Sequence, residues 1–150
     1  MCGFVCLWNT GDEELADRMI TKVAHRGPDA VSIVRQPGAP IIMAHCRLSI
    51  IGTENGAQPI HQADDMLIVN VEIYNHRDLR AILGEERFET ASDSETSLHL
   101  FRTDDNRWTD RLDGMFAFVL ATKGRIIAAR DPLGIKPLYV AKLGDGFIFS

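Results

Sequence analysis

The chain reads as an α+β domain built on antiparallel sheets. Short apolar runs of strand type recur along its 150 residues, separated by turn residues. The junctions at Gly124 and at Gly144-Asp145-Gly146 read as hairpin turns. A few further stretches carry apolar residues at helical spacing, and there are no repeats or low-complexity segments.

In order, residues 4–8 form a buried strand, and Asn9-Thr10-Gly11 turns it. Asp12 caps a helix with Leu15, Met19, Ile20 and Val23 on one side. His25-Arg26-Gly27-Pro28-Asp29 ends that helix in a rigid turn. There Arg26 and Asp29 either pair or shape a pocket, and His25 is read as structural. Strands follow over 31–34 and 41–51. Arg47 inside the second is either a solvent-facing residue or a bidentate fork aimed at a carboxylate. Residues 56–60 read as a loop and 66–69 as a strand, which continues into Asn70-Val71-Glu72 with its polar residues on one face. Asn75 caps a helix carrying Leu79, Ile82 and Leu83, closed by Gly84. Ser92 and Glu95 have capping-box spacing for a helix to about Phe101, with Leu98 and Phe101 inward. Asp93 in its first turn would also suit the helix dipole. A short helical piece at 108–112 precedes strands at 115–121 and 126–130. A rigid turn with a strand follows over 131–139, and a last strand over 147–149. The chain stops at Ser150 within that strand, which reads as a trimmed C-terminus.

Composition narrows the function. Hydrophobic residues make up 45% and charged residues 25%, enough for one cored domain. Lys plus Arg number 16 against 21 Asp plus Glu, a net charge of −5 without a basic run, which argues against nucleic acid. No apolar stretch is long enough for a membrane span, and no secretion signal opens the chain. Three cysteines without a disulfide pattern fit the cytoplasm. A metal site from Cys2, Cys6, His45 and Cys46 is disfavoured, because no pair has the usual two-residue spacing. No metal is expected.

The chemistry centres on Met1-Cys2-Gly3. Removal of Met1 would leave Cys2 with a thiol and a free α-amine. That puts nucleophile and base on one residue, the logic of an N-terminal nucleophile hydrolase. The amine, with an ordinary pKa of about 7.7–8.0, takes the proton of a thiol of about 8.5 near neutral pH.

Eight stretches then carry a resemblance. They are Met1-Cys2-Gly3-Phe4, His25-Arg26-Gly27-Pro28-Asp29, Arg47-Leu48-Ser49-Ile50, Gln58-Pro59, Glu72-Ile73-Tyr74-Asn75, Ser92-Asp93-Ser94-Glu95, the run from Leu112 to Phe118, and the run from Arg130 to Tyr139. In this order they resemble the glutaminase domain of class II glutamine amidotransferases, most closely that of asparagine synthetases. The resemblance implies a four-layer αββα sandwich of two antiparallel sheets between helices. It implies hydrolysis of glutamine to glutamate and ammonia, with Cys2 as nucleophile. Arg47 would hold the glutamine α-carboxylate, and Glu72 and Asp93 its α-ammonium. Asn70 and the N–H of Val71 would form the oxyanion hole. The ammonia would pass to a synthetase domain or subunit, with asparagine the default product. No cofactor is implied here, since ATP and Mg would belong to the synthetase part, whose Ser- and Gly-rich ATP loop this chain lacks.

One residue departs from that pattern. The family has Gly where this chain has Val71, and a β-branched residue at positive φ would distort the oxyanion hole. A glutaminase-inactive module that binds glutamine or scaffolds a partner is therefore the alternative reading. A cysteine–histidine protease is disfavoured, because no histidine stands in a recognisable catalytic motif.

Overall fold

The computed structural model describes residues 1–49, 55–103 and 107–150. Among them, nine strands form two antiparallel sheets. One has the order β2 (Ala30–Arg35), β3 (Ile41–Arg47), β1 (Gly3–Trp8), β9 (Gly146–Phe149), β8 (Val140–Leu143). The other has the order β4 (Ile60–Gln62), β5 (Asp65–Ile73), β6 (Gly114–Thr122), β7 (Arg125–Arg130). Helix α1 (Glu13–Val23) covers the first sheet. Helices α2 (His76–Leu83) and α3 (Ser94–Thr103) cover the second. The result is the expected αββα sandwich, with a separate core in each of its three interlayer spaces.

Strand alternation builds those cores. On β6, Phe116, Phe118 and Leu120 face the α2/α3 layer, while Ala117, Val119 and Ala121 face the other sheet. Small inward residues let the two sheets approach. On β1, Phe4 and Cys6 face the second sheet, and Val5 and Leu7 face α1. β3 and β5 alternate in the same way: Met43 and Met66 point between the sheets, Ala44 and Leu67 outward. A one-residue slip would turn each set to the wrong layer. Each fully buried large side chain, such as Phe118, contributes about 1.5–3 kcal/mol.

Local signals end the elements as expected in several places. Asp12 Oδ1 accepts the Leu15 N–H at 2.8 Å and caps α1. Gly84, at φ +96°, closes α2. Lys123 and Gly124, both at positive φ, make the two-residue hairpin turn between β6 and β7.

Elsewhere tertiary partners override the local pattern. The strand expected over 41–51 stops at Arg47, and positions 50 and 51 lie outside the described residues. Strand β4 begins where a loop was expected to end. Asn75 makes no side-chain cap; its amide instead holds the 111–113 segment, donating to Arg111 O and accepting from Asp113 N. Of the apolar residues on α2, Leu79 and Leu83 are buried and Ile82 is 70% exposed. The Ser92/Glu95 capping box does not form. Ser92 Oγ accepts from Ser94 N, and Glu95 turns away to residues 89 and 90. The strand expected to include Tyr139 starts one residue later, at Val140.

Candidate active site

Cys2 sits at the head of β1, which lies between β3 and β9. Three groups moor it. The Leu48 N–H donates to Sγ at 3.4 Å, and the thiol lies 3.6 Å from Leu48 O. Arg26 Nε donates to the Cys2 carbonyl at 3.1 Å. The His25–Asp29 turn makes this possible by close backbone approach. A Cβ on Gly27 would collide with the backbone of Cys46 and Arg47, and one on Gly3 would stand 2.8 Å from Cys46 Sγ. Asp29 donates its N–H to Arg47 O and accepts the Ser49 N–H at 2.7 Å. Arg26 and Asp29 therefore go to separate partners, and together they seat the end of β3 against Cys2. His25 is exposed and takes no part.

One cleft is lined by Cys2, Arg47, Asn70, Val71, Glu72 and Asp93. Alternation explains the placing. Ile41 and Met43 of β3 face the second sheet, and Arg47 follows them on that face, half-buried rather than on the solvent side. Met66 and Ile68 of β5 face the first sheet, and Asn70 and Glu72 continue that row. Asn70 is 4% exposed. Asp93 comes from the start of α3, 5% exposed, and its Oδ2 accepts the Ile73 N–H at 2.9 Å. Burial pushes the Asp93 carboxyl up, against the pull of that N–H and of His76. Met1 is half-exposed and lines the same cleft.

Val71 does not have the strained backbone that its departure from glycine suggested. It lies in extended β5 opposite Phe116, and among the described residues the non-glycine residues at positive φ are Asn9, Ala63 and Lys123. Phe116 directs both its N–H and its carbonyl to Asp131, away from β5. Val71 thus occupies a non-hydrogen-bonded position of the ladder, and its N–H points over the free side of β5. On that side the Val69 N–H meets Gln58 Oε1 at 2.7 Å, and the Ile73 N–H meets Asp93. The Val71 isopropyl group packs outward against the α2/α3 core.

Several residues were missed by the sequence reading. Buried Gln58 ties β5 to α3, its Nε2 reaching Ser94 Oγ at 3.5 Å. The Gln58–Pro59 motif was the available signal. His45, 1% exposed between the sheets, bonds the backbone of Val69, while its Nε2 has no partner among the described residues. Burial lowers its pKa to about 4. The other thiols are inert by burial: Cys6 is pushed up to about 12, and Cys46 is also raised. A second recess shares Cys2 and Asn70 but leads toward Arg26, Pro137 and Tyr139. Among the described residues, no three metal-ligating side chains come together, and no helix is long and apolar enough to cross a membrane.

The family model of the glutamine amidotransferase domain matches residues 1–150. A probable glutamine-hydrolysing asparagine synthetase of Dictyostelium discoideum is 40% identical over 161 residues, which take in 99% of this chain and 28% of that protein. Glutamine-hydrolysing asparagine synthetase 2 of Oryza sativa subsp. japonica is 40% identical over 158 residues, covering 99% of this chain and 26% of its own. The chain therefore spans just over a quarter of the length of these relatives. The fold also matches a solved glutamine phosphoribosylpyrophosphate amidotransferase from B. subtilis complexed with ADP and GMP. That match has a TM-score of 0.81 at 22% identity, covering 99% of this chain and 41% of the other. With its two-sheet sandwich, its leading cysteine and a family match from end to end, the chain belongs to the glutamine amidotransferase domain family.

Proposed function

We propose that this domain hydrolyses the side-chain amide of L-glutamine to glutamate and ammonia, with Cys2 as nucleophile once Met1 is removed. The observation that carries this reading is the single cleft into which separate segments send Cys2, Arg47, Asn70, Glu72 and Asp93. One cation and two carboxylates complement the α-carboxylate and α-ammonium of an amino acid. Arg47 holds the first, Glu72 and Asp93 the second. The side-chain amide then lies toward Cys2.

In the reaction, the Cys2 amine takes the thiol proton and Sγ attacks the amide carbon. The carbonyl oxygen becomes an oxyanion against the Asn70 amide and the Val71 N–H, whose strand position leaves it free to donate. Each such donor lowers the barrier by about 3–4 kcal/mol. The protonated amine gives its proton to the departing ammonia, leaving a γ-glutamyl thioester. Water, deprotonated by the same amine, cleaves the thioester to glutamate and restores the thiol. With Met1 in place, the amine is an amide and Met1 stands in the cleft, so the base is missing and the site is obstructed.

The ammonia passes to a synthetase domain or subunit, with asparagine as the product, as the names of the relatives suggest. The recess toward Pro137 and Tyr139 offers it a way out separate from the glutamine side. The domain itself works without a cofactor, and ATP and Mg serve the synthetase part. Its three free cysteines suit the cytoplasm.

The test is glutamate release from glutamine by protein shown by mass spectrometry to have lost Met1, with Cys2→Ala beside it. Turnover abolished by Cys2→Ala supports the reading. No turnover in Met1-free protein overturns it and leaves a glutamine-binding or scaffolding module, which calorimetry with glutamine identifies.

A further inference from the structure

Outside the cleft, a heavily bonded carboxylate is that of Glu95, in the first turn of α3 and 4% exposed. Its Oε1 accepts the Glu89 N–H at 2.9 Å and meets His99 Nε2 at 3.1 Å. Its Oε2 accepts the Thr90 N–H at 2.8 Å and the Thr90 hydroxyl at 2.7 Å. A carboxylate serving only the helix dipole would do so from the surface, hydrated. This one is desolvated, and three of its four bonds go to the preceding turn, with only the His99 bond staying on its own helix.

That turn leads directly to Asp93. Thr90 Oγ, while donating to Glu95, accepts the Ser92 N–H at 3.2 Å. Ser92 Oγ accepts the Ser94 N–H at 3.3 Å. Both neighbours of Asp93 are thereby fixed to the network that starts at Glu95. From α2, Arg80 adds a bond to Thr90 O at 2.9 Å and stacks over Phe88 with 4.0 Å to the ring centroid. Phe88 in turn packs on His99, centroids 4.4 Å apart. On the far side, the Ile73 N–H donates to Asp93 Oδ2.

We propose that Glu95 is the positioning residue for Asp93, clamping the 89–92 turn so that the Asp93 carboxylate stays aimed at the α-ammonium of the substrate. This rests on the glutamine reading above. Glu95 touches no reacting atom. It sets where one charge of the cleft stands, and therefore how well an α-amino acid is told from the same chain without its amine.

The experiment compares L-glutamine with glutaramate, which has the same carboxylate and amide but no α-ammonium, on Met1-free full chain. Glu95→Gln keeps the size of the side chain but cannot accept all four bonds. It should raise KM for glutamine about tenfold with kcat within about twofold, and cut the preference for glutamine over glutaramate by a similar factor. Thr90→Val should move both in the same direction, and Thr90→Ser should restore them. Unchanged KM and preference in a folded Glu95→Gln would overturn the proposal. So would an equal loss on both substrates, which marks a merely structural role. If Glu95→Gln does not fold, the Thr90→Val and Thr90→Ser pair decides by the same two readouts. If the unaltered chain does not turn over glutamine, the hydrolysis reading fails. The clamp is then judged by dissociation constants for glutamine and glutaramate: a fall in their ratio with Glu95→Gln supports it, and an unchanged ratio sinks it.

Discussion

Arg26 Nε donates to the carbonyl oxygen of Cys2 at 3.1 Å, so the turn after the first helix holds the first strand by its leading residue. A chain end has nothing before it to anchor it. Arg26 supplies that anchor to the backbone, as Leu48 does to the thiol. Under the proposed chemistry, removing it frees the α-amine to wander from the reacting carbon. Arg26→Ala loses a charged hydrogen bond of about 1.5–3 kcal/mol, so kcat/KM for glutamine should fall about 10- to 100-fold. Steady-state kinetics checks this. A fall confined to KM would place Arg26 in substrate binding instead.

Val71→Gly should not improve the enzyme. The strand already presents the Val71 N–H on its free side without positive φ. The substitution would remove an isopropyl group from the α2/α3 core and loosen the strand. We expect a loss of about 1–2 kcal/mol in urea unfolding and kcat within about twofold of the unaltered chain. A tenfold or larger gain in kcat would show that the valine does obstruct the oxyanion hole.

Asp93 gives the cleft a pH dependence. Burial raises its carboxyl above the ordinary carboxylate range. As the pH falls through that raised value, Asp93 gains a proton and, in the proposed complex, would lose its hold on the ammonium. KM for glutamine should rise at a pH above the ordinary aspartate value of about 3.9. The sign for stability is opposite. The folded state holds this proton more tightly than the unfolded one, so the contribution of Asp93 is present below the unfolded pKa and is lost as pH rises through the folded one. Asp93→Asn should therefore leave ligand-free stability at pH 7 unchanged or higher, while raising KM about tenfold or more. Melting curves with and without glutamine test both halves.

His45 should weaken the fold in acid. It lies buried between the sheets, with its pKa lowered to about 4 by burial and, secondarily, by Arg47. The unfolded chain takes up a proton near pH 6.5 and the folded one does not. Stability is thus full above 6.5 and lost as pH falls toward 4, by about 2 kcal/mol at pH 5. Denaturant midpoints between pH 7 and 5 should slope accordingly, and His45→Gln should flatten that slope. A slope that survives the substitution would assign it to other groups.

The strands and antiparallel sheets were legible as apolar runs between turns, but the layered sandwich came through the resemblance. A run apolar throughout does not show that Phe116, Phe118 and Leu120 face one layer and Ala117, Val119 and Ala121 another. The cap at Asp12 and the turn at Gly124 were legible because each acts on its immediate neighbours. Asn75, Ser92 and Glu95 were misjudged for one physical reason. A polar side chain at a helix start has local donors within reach, but tertiary ones can satisfy it better, as residues 111–113 do for Asn75. The cleft was legible through the resemblance rather than the spacing, which left Arg47 balanced between two faces. Strand β4 carries only three residues, too few to show a period.

Under the proposed chemistry, the placing of Cys2 makes the order in which the chain is threaded part of the catalyst. A sandwich joined between residues 1 and 150 and opened at a surface loop could keep all three cores, since such rearrangements are commonly tolerated. Its cysteine would then lie mid-chain, its nitrogen an amide with no lone pair to take a proton. Such a permutant would be folded, able to hold glutamine, and inert.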